Sequence, residues 1–588
     1  MKQFYDLIIN GMTNNKIEKE LAVQLITMFK KDIAVSVDDI AIIGMSSRLP
    51  GSENINEYWT NILNSVDCVE DFPESRTKVL YDYLYFHAGD YIKNIKFLQG
   101  AYLEGIEKFD YRFFRLSPRE ACLMDPAHRL FMETVWETIE DAGYGGKKIH
   151  GSKTGIYVGY NFNSVYKNMI SEVDPYSMSD SVLGNKASII PSRISQMLDL
   201  KGPTMILDTT CSSSNVSLHL ACQGIGKGDC EMAVAAGIRL NLLPLYDDNT
   251  ELGVVACDGK TRAFDNDAGG MVWGEGLVSV LLKPLSKARK DRDNIYAVIK
   301  GSAVNHDGTS VSITAPNRTS QTGLIEKAWR DSAIPPETIS YIETFGTGTK
   351  LGDAIEIEAL NDAFKKHTGR KQFCAVSSVK TNIGHLNECS GLAGLVKAVL
   401  SLKNKKIPPT NNFNRPNRNI DFCDSALYVN VAARDWISGE HPRRCGVSTF
   451  GLSGTNSHII LEEYVQHEDH LTSAGRQTSE TVENSYLNLL TFSARSMTSL
   501  KALLYQYYYF AKNAHKHNIW DICYTANTGR GHYEFRIAII IKDLDDLKQK
   551  LGKLIHLDFS IEAEPWLHYC EHSIGREYGQ SDKSAVIT

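Results

Sequence analysis

Residues 204–225 read TMILDTTCSSSNVSLHLACQGI and carry the sharpest local signal in the chain. A short apolar run ends at Asp208, and a helical pattern begins directly after Cys211 with three consecutive serines. The pattern therefore predicts a buried strand that turns sharply into a helix, with the Cys211 thiol at the turn. The positive end of a helix dipole favours an anion, so we expect a lowered pKa and a nucleophilic thiolate at Cys211. The free N–H groups of a helix start also suit a developing oxyanion.

Similar apolar runs alternate with amphipathic segments on both sides of this stretch, from about residue 38 to residue 463. They read TGIYVGY, EMAVAAGI, LVSVLLK, IYAVIKGSAV, ISYIETF, FCAVSSVK and HIILEE. Short, almost wholly apolar strands that are separated by helices predict a layered α/β fold with buried sheets. Since no linker-like composition interrupts residues 38–463, they are predicted to form one large domain.

The flanks differ from this domain in composition. Residues 1–37 predict a short helical connector, and residues 464–486 form a polar, turn-rich linker. Residues 487–566 again alternate strand and helix patterns and predict a small α/β unit. Residues 567–588 have no periodicity and are predicted to be a tail. The abrupt ends favour a piece of a longer chain.

Composition excludes several classes of protein. The 588 residues carry 63 Lys+Arg against 70 Asp+Glu, a formal charge of −7, which argues against a nucleic-acid binder. No run approaches the roughly 18 apolar residues of a membrane span, and the start does not resemble a secretory signal. The 12 cysteines are scattered, without zinc spacing, and FDNDAGG lacks the twelfth-position acid of a calcium loop. We therefore predict a cytoplasmic enzyme without a bound metal.

Several motifs carry a resemblance to a known family. DTTCSSS at 208–214, IAIIGMSSRLPG at 40–51, SSVKTNIGHL at 377–386 and RRCGVSTFGLSGTNSHIILEE at 443–463 occur in the family's order. They resemble the ketosynthase (β-ketoacyl synthase) domain of modular polyketide synthases. The resemblance implies a thiolase-like fold of α-β-α-β-α layers over 38–463. It also implies that the unit at 487–566 is the α/β subdomain that flanks such ketosynthases.

The family uses a Cys-His-His triad, and one member of it is changed here. The second histidine is intact as His385 in NIGHL, preceded by Lys380, which resembles the supporting lysine of the family. The first histidine stands in a motif like EAHGTGT, which reads ETFGTGT in this chain, so that Phe345 occupies its position.

The resemblance also implies how the substrate is held. The oxyanion would be bound by the backbone N–H groups of Cys211 and Leu452, the latter in the loop that begins at Phe450. Thr347 and Thr349 correspond to the hydroxyls that bind the pantetheine arm, and Phe450 belongs to the same substrate-binding region. The family often carries Phe at the position of Leu452.

Phe345 favours one function over two others. Decarboxylative condensation forms an enolate that needs hydrogen-bond donors, and the loss of one such donor typically lowers the rate by about 10²–10³. Transfer of an acyl chain between thiols needs only the nucleophile and an oxyanion hole. The leading hypothesis is therefore a non-elongating ketosynthase. The alternatives are an elongating enzyme that tolerates Phe345 and an inert dimeric scaffold, against which the intact Cys211, Lys380 and His385 argue.

The expected partners follow from the resemblance alone. It implies that the domain binds no cofactor of its own and that its substrates arrive on the phosphopantetheine of upstream and downstream acyl carrier proteins. It further implies a homodimer within a multidomain synthase, and the lack of a following acyltransferase motif favours a trans-acyltransferase assembly line.

Overall fold

The computed structural model describes residues 38–88, 96–245, 254–312, 314–466, 487–513, 517–556 and 567–571, together with isolated positions between 8 and 22. The predicted connector at 1–37 and nearly all of the linker at 464–486 lie outside the described residues. Within the described part of the chain, no helix combines the length and the apolar character that crossing a bilayer requires.

The strands of the described residues follow the apolar runs of the sequence. They are β1 Ile40–Arg48, β2 Gly100–Ala101, β3 Thr154–Gly159, β4 Thr204–Leu207, β5 Met232–Arg239, β6 Trp273–Gly274, β7 Gly276–Pro284, β8 Ala297–His306, β9 Tyr341–Glu343, β10 Cys374–Ser377, β11 Lys406–Ile407, β12 Leu427–Val429, β13 Arg434–Asp435, β14 Arg444–Phe450, β15 Thr455–Glu462, β16 Asn488–Ala494, β17 Phe535–Ile541 and β18 Leu567–Glu571.

The α-helices lie between these strands. They are α1 Ile55–Leu63, α2 Glu74–Ala88, α3 Pro118–Cys122, α4 Pro126–Asp141, α5 Val165–Val173, α6 Met178–Ser181, α7 Ile189–Met197, α8 Ser213–Gly226, α9 Leu285–Lys290, α10 Arg318–Ser332, α11 Lys350–Lys365, α12 Lys380–Ile383, α13 Ser390–Asn404, α14 Met497–Asn513, α15 Ile519–Thr528 and α16 Leu544–Leu554.

The main sheet consists of two halves. Its strand order is β12-β10-β9-β14-β15-β8-β1-β7-β5-β3-β4, so that β1, β3, β4, β5 and β7 form one half and β8, β9, β10, β12, β14 and β15 the other. The halves join where β1 pairs with β8, over Ile40–Ile42 and Ala297–Ile299 only. Each half mixes parallel and antiparallel pairs, with its parallel strands at the outer edge.

Alternation along the strands divides the apolar side chains between layers. In β1, Ile40 and Ile42 belong to a central core that also contains the buried faces of α8 and α13. Ala41 and Ile43 face the other way, into a core that α4 covers. In the second half, α10 and α11 cover the corresponding outer face. The order is thus helices, half-sheet, central helices, half-sheet, helices, which confirms the predicted thiolase-like layering.

Two glycines let the central helix approach the first half-sheet closely. A Cβ on Gly159, the last residue of β3, would lie 2.6 Å from the Ser214 backbone nitrogen and 2.7 Å from the Ser213 carbonyl carbon. A Cβ on Gly237 in β5 would lie 2.8 Å from Ser214 Cβ and 2.9 Å from Cys389 Cα. The first residues of α8 therefore lie directly against the strand backbone. This contact fixes how far Cys211 lies from the sheet.

The flanking unit has its own three-stranded antiparallel sheet, β16-β17-β18, with its own core. The strand β18 pairs with β17 from Phe535↔Glu571 to Ile539↔Leu567. The predicted boundary at residue 566 was therefore wrong at this point, because residues 567–571 form the third strand and not the start of a tail. Strand pairing to a distant segment leaves no periodic signal in a run of five residues.

A small interface joins this unit to the main domain. The Arg495 guanidinium lies between two rings, 4.7 Å from the Phe113 centroid and 5.2 Å from the Tyr533 centroid. The Gly145 N–H donates to the Gly529 carbonyl at 3.2 Å. Because Phe113 and Gly145 belong to the main domain, these contacts set the position of the flanking unit beside α4.

We expect Gly159→Ala to destabilise the protein and to disturb the site. The new methyl group would meet the backbone of Ser213 and Ser214, and overpacking of this kind typically costs about 1–3 kcal/mol. The free energy of unfolding in urea measures the effect. Gly323→Ala is the matched control, since Gly323 lies in α10 with open space around its Cβ position. It should be neutral or stabilising by up to about 1 kcal/mol, and equal stabilities of the two variants would contradict the expectation.

Candidate active site

The predicted turn between β4 and α8 is present, and it is strained. Thr210 has φ 57, in the left-handed region that non-glycine residues seldom adopt. The Asp208 carboxylate accepts a 2.9 Å hydrogen bond from the Thr210 N–H, and the Thr210 carbonyl accepts one of 3.0 Å from the Ser213 N–H. Cys211 follows Thr210 and lies between β4 and α8, as predicted from the strand-to-helix pattern.

His385 lies opposite this thiol. Its Nε2 is 3.2 Å from Cys211 Sγ, and its Nδ1 is 2.7 Å from Ser390 Oγ at the start of α13. Its backbone N–H donates to the Val272 carbonyl at 2.6 Å, and Gly384 before it has φ 69. A Cβ on Gly384 would lie 2.9 Å from the Val272 oxygen. The glycine of the NIGHL motif thus lets the chain pass close enough to bring the imidazole to the thiol.

The electrostatics of the pair differ from the prediction. Burial raises the pKa of the Cys211 thiol to about 11, although hydrogen bonds from the Leu452 and Cys211 N–H groups and the charge of Lys380 oppose the shift. The expected lowering of this pKa was wrong, because the loss of water around the thiol outweighs the two N–H groups and the Lys380 charge that favour the thiolate.

His385 is neutral for a similar reason. Burial, and then the charges of Lys380 and Arg239, hold its pKa well below the usual range. A neutral imidazole has one donor and one acceptor nitrogen. To accept the thiol proton at Nε2, it must carry its own at Nδ1, where Ser390 Oγ accepts it. The resting pair is then a thiol and a neutral base, which suits activation of the thiol by proton transfer as the substrate binds.

The loop after β14 brings the Leu452 N–H to the thiol. Gly451 makes this approach possible, since a Cβ there would lie 2.5 Å from the Thr209 carbonyl oxygen. The Ser453 carbonyl accepts a 3.0 Å hydrogen bond from His306 Nε2, which holds this loop in place. Leu452 is 49% exposed, and its backbone N–H is the group that reaches Cys211 Sγ. Two N–H groups thus converge near Sγ, as an oxyanion hole requires.

Phe345 lies where the resemblance placed it, beside the second histidine. Its ring is edge-on to the His385 ring, with centroids 5.6 Å apart and planes at 88°. The ring of Phe450, which is buried at the end of β14, lies 5.8 Å away on another side. A carbon-only surface therefore fills the position from which the family's first histidine would donate.

Lys380 is bound to the same residue. Its Nζ donates to the Phe345 carbonyl oxygen at 2.6 Å and lies 4.4 Å from the centroid of the Phe345 ring. It is buried, and burial lowers its pKa against the opposing charges of nearby carboxylates. The lysine thus contacts Phe345 directly and acts on Cys211 through the field of its charge, and its supporting role in the reaction stays a prediction.

Two carboxylates that the sequence analysis did not single out hold the Phe345 loop. Glu356 accepts from the N–H groups of Phe345 and Gly346, at 2.7 and 2.8 Å. Asp353 accepts from the Gly348 N–H at 3.2 Å. Burial raises the pKa of both carboxyl groups. Both acids lie on α11 directly after the GTGT motif, and this spacing was the available signal.

The pantetheine-binding prediction concerns Thr347 and Thr349. Their hydroxyl groups lie 3.1 Å apart and hydrogen-bond to each other, with Thr347 buried and Thr349 half-buried. They share the loop of Phe345, so the structure brings them to the same side of the site.

Trp273 and Ser390 were also missed. Trp273 stacks on His385, with centroids 5.9 Å apart and planes at 17°, through the bridge between β6 and residue 385. Ser390 Oγ is hydrogen-bonded to Nδ1 of the same ring. Neither residue belongs to a motif with a chemical signature of its own. Among the residues that the structure describes, no group of three or more His, Cys, Asp or Glu side chains could hold a metal ion.

A half-buried cysteine on a strand-to-helix turn, a neutral histidine within hydrogen-bond distance and two converging N–H groups define an acyl-transferring enzyme of the thiolase-like class. Comparison with known proteins narrows this class. Residues 37–288 match the family "Beta-ketoacyl synthase, N-terminal domain", residues 296–414 the family "Beta-ketoacyl synthase, C-terminal domain" and residues 488–551 the family "CurL-like, PKS C-terminal". The chain belongs to the β-ketoacyl synthase family and is a ketosynthase of the polyketide synthase type.

Individual relatives agree with this assignment. The chain is 40% identical over 523 residues to the polyketide synthase PksL of Bacillus subtilis, covering 87% of this chain and 11% of the relative. It therefore spans about a tenth of the length of such curated relatives. The ketosynthase from module 6 of the bacillaene synthase of Bacillus subtilis is 38% identical, with a TM-score of 0.76 and coverage of 88% of this chain and 85% of that one. The module 1 ketosynthase of the Bacillus amyloliquefaciens bacillaene synthase is 34% identical, with a TM-score of 0.78 and coverage of 92% and 93%.

The raised pKa of Cys211 predicts the pH dependence of its alkylation by iodoacetamide. Only the thiolate reacts, so the rate should rise about tenfold per pH unit from pH 7 to pH 9 without levelling off. Peptide mass spectrometry separates Cys211 from the exposed Cys122, Cys257 and Cys423, and Cys211→Ala gives the blank. A rate that is already constant below pH 8 would mean that the helix dipole prevails over burial.

Proposed function

We propose that this ketosynthase transfers acyl chains between carrier-bound thiols without extending them. The observation that carries the proposal is Phe345, whose ring stands 5.6 Å from the His385 ring and offers no hydrogen-bond donor. The thiol, the base and both backbone donors that transthioesterification needs are present around Cys211.

The transfer uses these groups in a definite order. The thiol proton passes from Cys211 Sγ to Nε2 of His385, and the thiolate attacks the thioester carbonyl carbon. The resulting oxyanion is held by the N–H groups of Cys211 and Leu452. When the intermediate collapses, the bond to the pantetheine sulfur breaks and that sulfur takes the proton from Nε2. A second pantetheine thiol reverses these steps and leaves with the same acyl chain.

Condensation makes a further demand on the site. Loss of carbon dioxide from a malonyl thioester leaves an enolate, whose oxygen needs donors that are already in place. His385 can supply one donor once Nε2 is protonated, but the Phe345 ring supplies none. Lys380 Nζ is directed to the Phe345 carbonyl, so it does not replace the missing donor. The reduction expected from one missing donor is about 10²–10³ in rate.

Intact-mass measurement of both proteins tests this proposal. The protein is first incubated with an acyl-pantetheine thioester and then with malonyl-loaded carrier protein, and in parallel with unloaded carrier. We expect an acyl adduct on Cys211, transfer of the unchanged acyl chain to the unloaded carrier, and less than about 1% of a chain extended by two carbons. Cys211→Ala is the control that should carry no adduct.

An abundant extended chain would overturn the proposal in favour of an elongating enzyme, and the absence of any adduct would leave only a scaffold. Phe345→His is the informative companion variant. A rise in extended product above that of the parent protein would assign the block to this one position.

We further propose that carrier proteins present the substrates on phosphopantetheine and that the ketosynthase is a homodimer. The strand β4 supports the dimer, because among the described strands it pairs with β3 alone and ends the main sheet. Exposed sheet edges invite pairing with a second chain. Phe162, 43% exposed, lies close by, since the neighbouring Asn161 donates to Asp208 after β4.

Sedimentation equilibrium tests the dimer. A mass of twice 65.6 kDa is expected, and replacement of Ile206 on β4 by Pro, which cannot complete an edge ladder, should shift the mass toward the monomer. A parent protein that remains monomeric at micromolar concentration would contradict this expectation.

A further inference from the structure

Phe345 makes contacts that a simple loss of a catalytic group would not require. Its ring face lies under the Lys380 ammonium at 4.4 Å, and its plane is at 88° to that of the His385 ring, with centroids 5.6 Å apart. An ammonium over an aromatic face is attracted by the ring quadrupole, more strongly when both are removed from water. An aliphatic side chain of the same volume would offer neither contact.

The carboxylates near Lys380 are bound elsewhere. Glu343 accepts from Lys397 at 2.9 Å and from the Val379 N–H at 2.7 Å. Glu356 uses both oxygens on the backbone of the Phe345 loop. The described contacts of the ammonium are therefore the Phe345 carbonyl and the Phe345 ring.

Trp273 contacts the His385 ring from another direction. The plane of the Trp273 ring is nearly parallel to the imidazole plane, at 17°, whereas the plane of the Phe345 ring is almost perpendicular to the imidazole plane. The two rings and Ser390 Oγ together fix the orientation in which Nε2 faces Cys211. The charges that act on the thiol are Lys380, which favours its ionisation, and Glu388, which opposes it and is paired with Arg239 at 3.6 Å.

We propose that Phe345 and Trp273 are positioning residues for acyl transfer: the two rings fix the His385 imidazole, and the Phe345 ring also holds the Lys380 ammonium near Cys211. Phe345 is then an active part of a transfer site as well as the loss of a condensation site. This inference rests on the proposed function, but its first test does not, because alkylation of Cys211 involves neither transfer nor extension.

The test compares iodoacetamide alkylation of Cys211 at pH 8 in paired variants. Phe345→Leu should react about 3- to 10-fold more slowly than the parent, since a cation–π contact of this kind corresponds to that range, and Phe345→Tyr should recover most of the rate. Trp273→Leu should also react more slowly, with recovery in Trp273→Phe. Phe492→Leu is the matched control: Phe492 packs on Tyr507 in the separate core of the flanking unit, and its loss should leave the rate unchanged.

A parent-like rate in folded Phe345→Leu would overturn the inference and leave the proposed function intact. Equal rates in Trp273→Leu and Trp273→Phe would overturn it as well, so the Trp273 pair decides the matter should Phe345→Leu fail to fold. The rate of acyl loading from a pantetheine thioester should rank the variants in the same order as alkylation does. The substitutions should lower kcat by a larger factor than they change KM. Extension of the chain by the parent protein would refute the proposed function while leaving the alkylation result standing.

Discussion

The contact between the start of α8 and bare strand backbone is the constraint on which the site depends. Because Gly159 and Gly237 have no side chains, the helix sits against the first half-sheet, and the chain must turn from β4 into it within a few residues. Thr210 accepts the left-handed conformation for this reason. Thr210 is kept in this strained conformation by the hydrogen bonds on both sides of it and by the burial of α8 between two half-sheets. Cys211 takes its direction from this turn.

Burial also decides the chemistry of the site. The same packing that places α8 in the central layer removes water from Cys211 and His385, so the thiol is harder to ionise and the imidazole harder to protonate. A neutral pair is the consequence. In the second half of the chain, burial has the parallel effect on Glu356, which binds backbone N–H groups and thereby fixes the loop that carries Phe345.

Local signals predicted much of this molecule. The apolar runs gave the layers, and the positions of Cys211, His385 and Phe345 followed from motifs that keep their spacing. The features that were predicted wrongly or missed depend on segments that are distant in the sequence. The pKa of Cys211 reflects how closely other chains cover it, and Trp273 reaches His385 through a bridge between residues more than a hundred positions apart. The strand β18 forms only because β17 offers an edge, so its five residues carry no pattern of their own.

The narrow junction between β1 and β8 separates the two parts of the chain that supply the reacting side chains. Cys211 comes from the first half of the chain and His385 from the second, and the matched N-terminal and C-terminal families divide between residues 288 and 296, at this junction. Each half of the main domain therefore contributes one of the two reacting side chains. The 3.2 Å separation of Sγ and Nε2 therefore depends on how the two halves pack, through the β1–β8 pairs, the central core of α8 and α13, and the bond from the His385 N–H to the Val272 carbonyl.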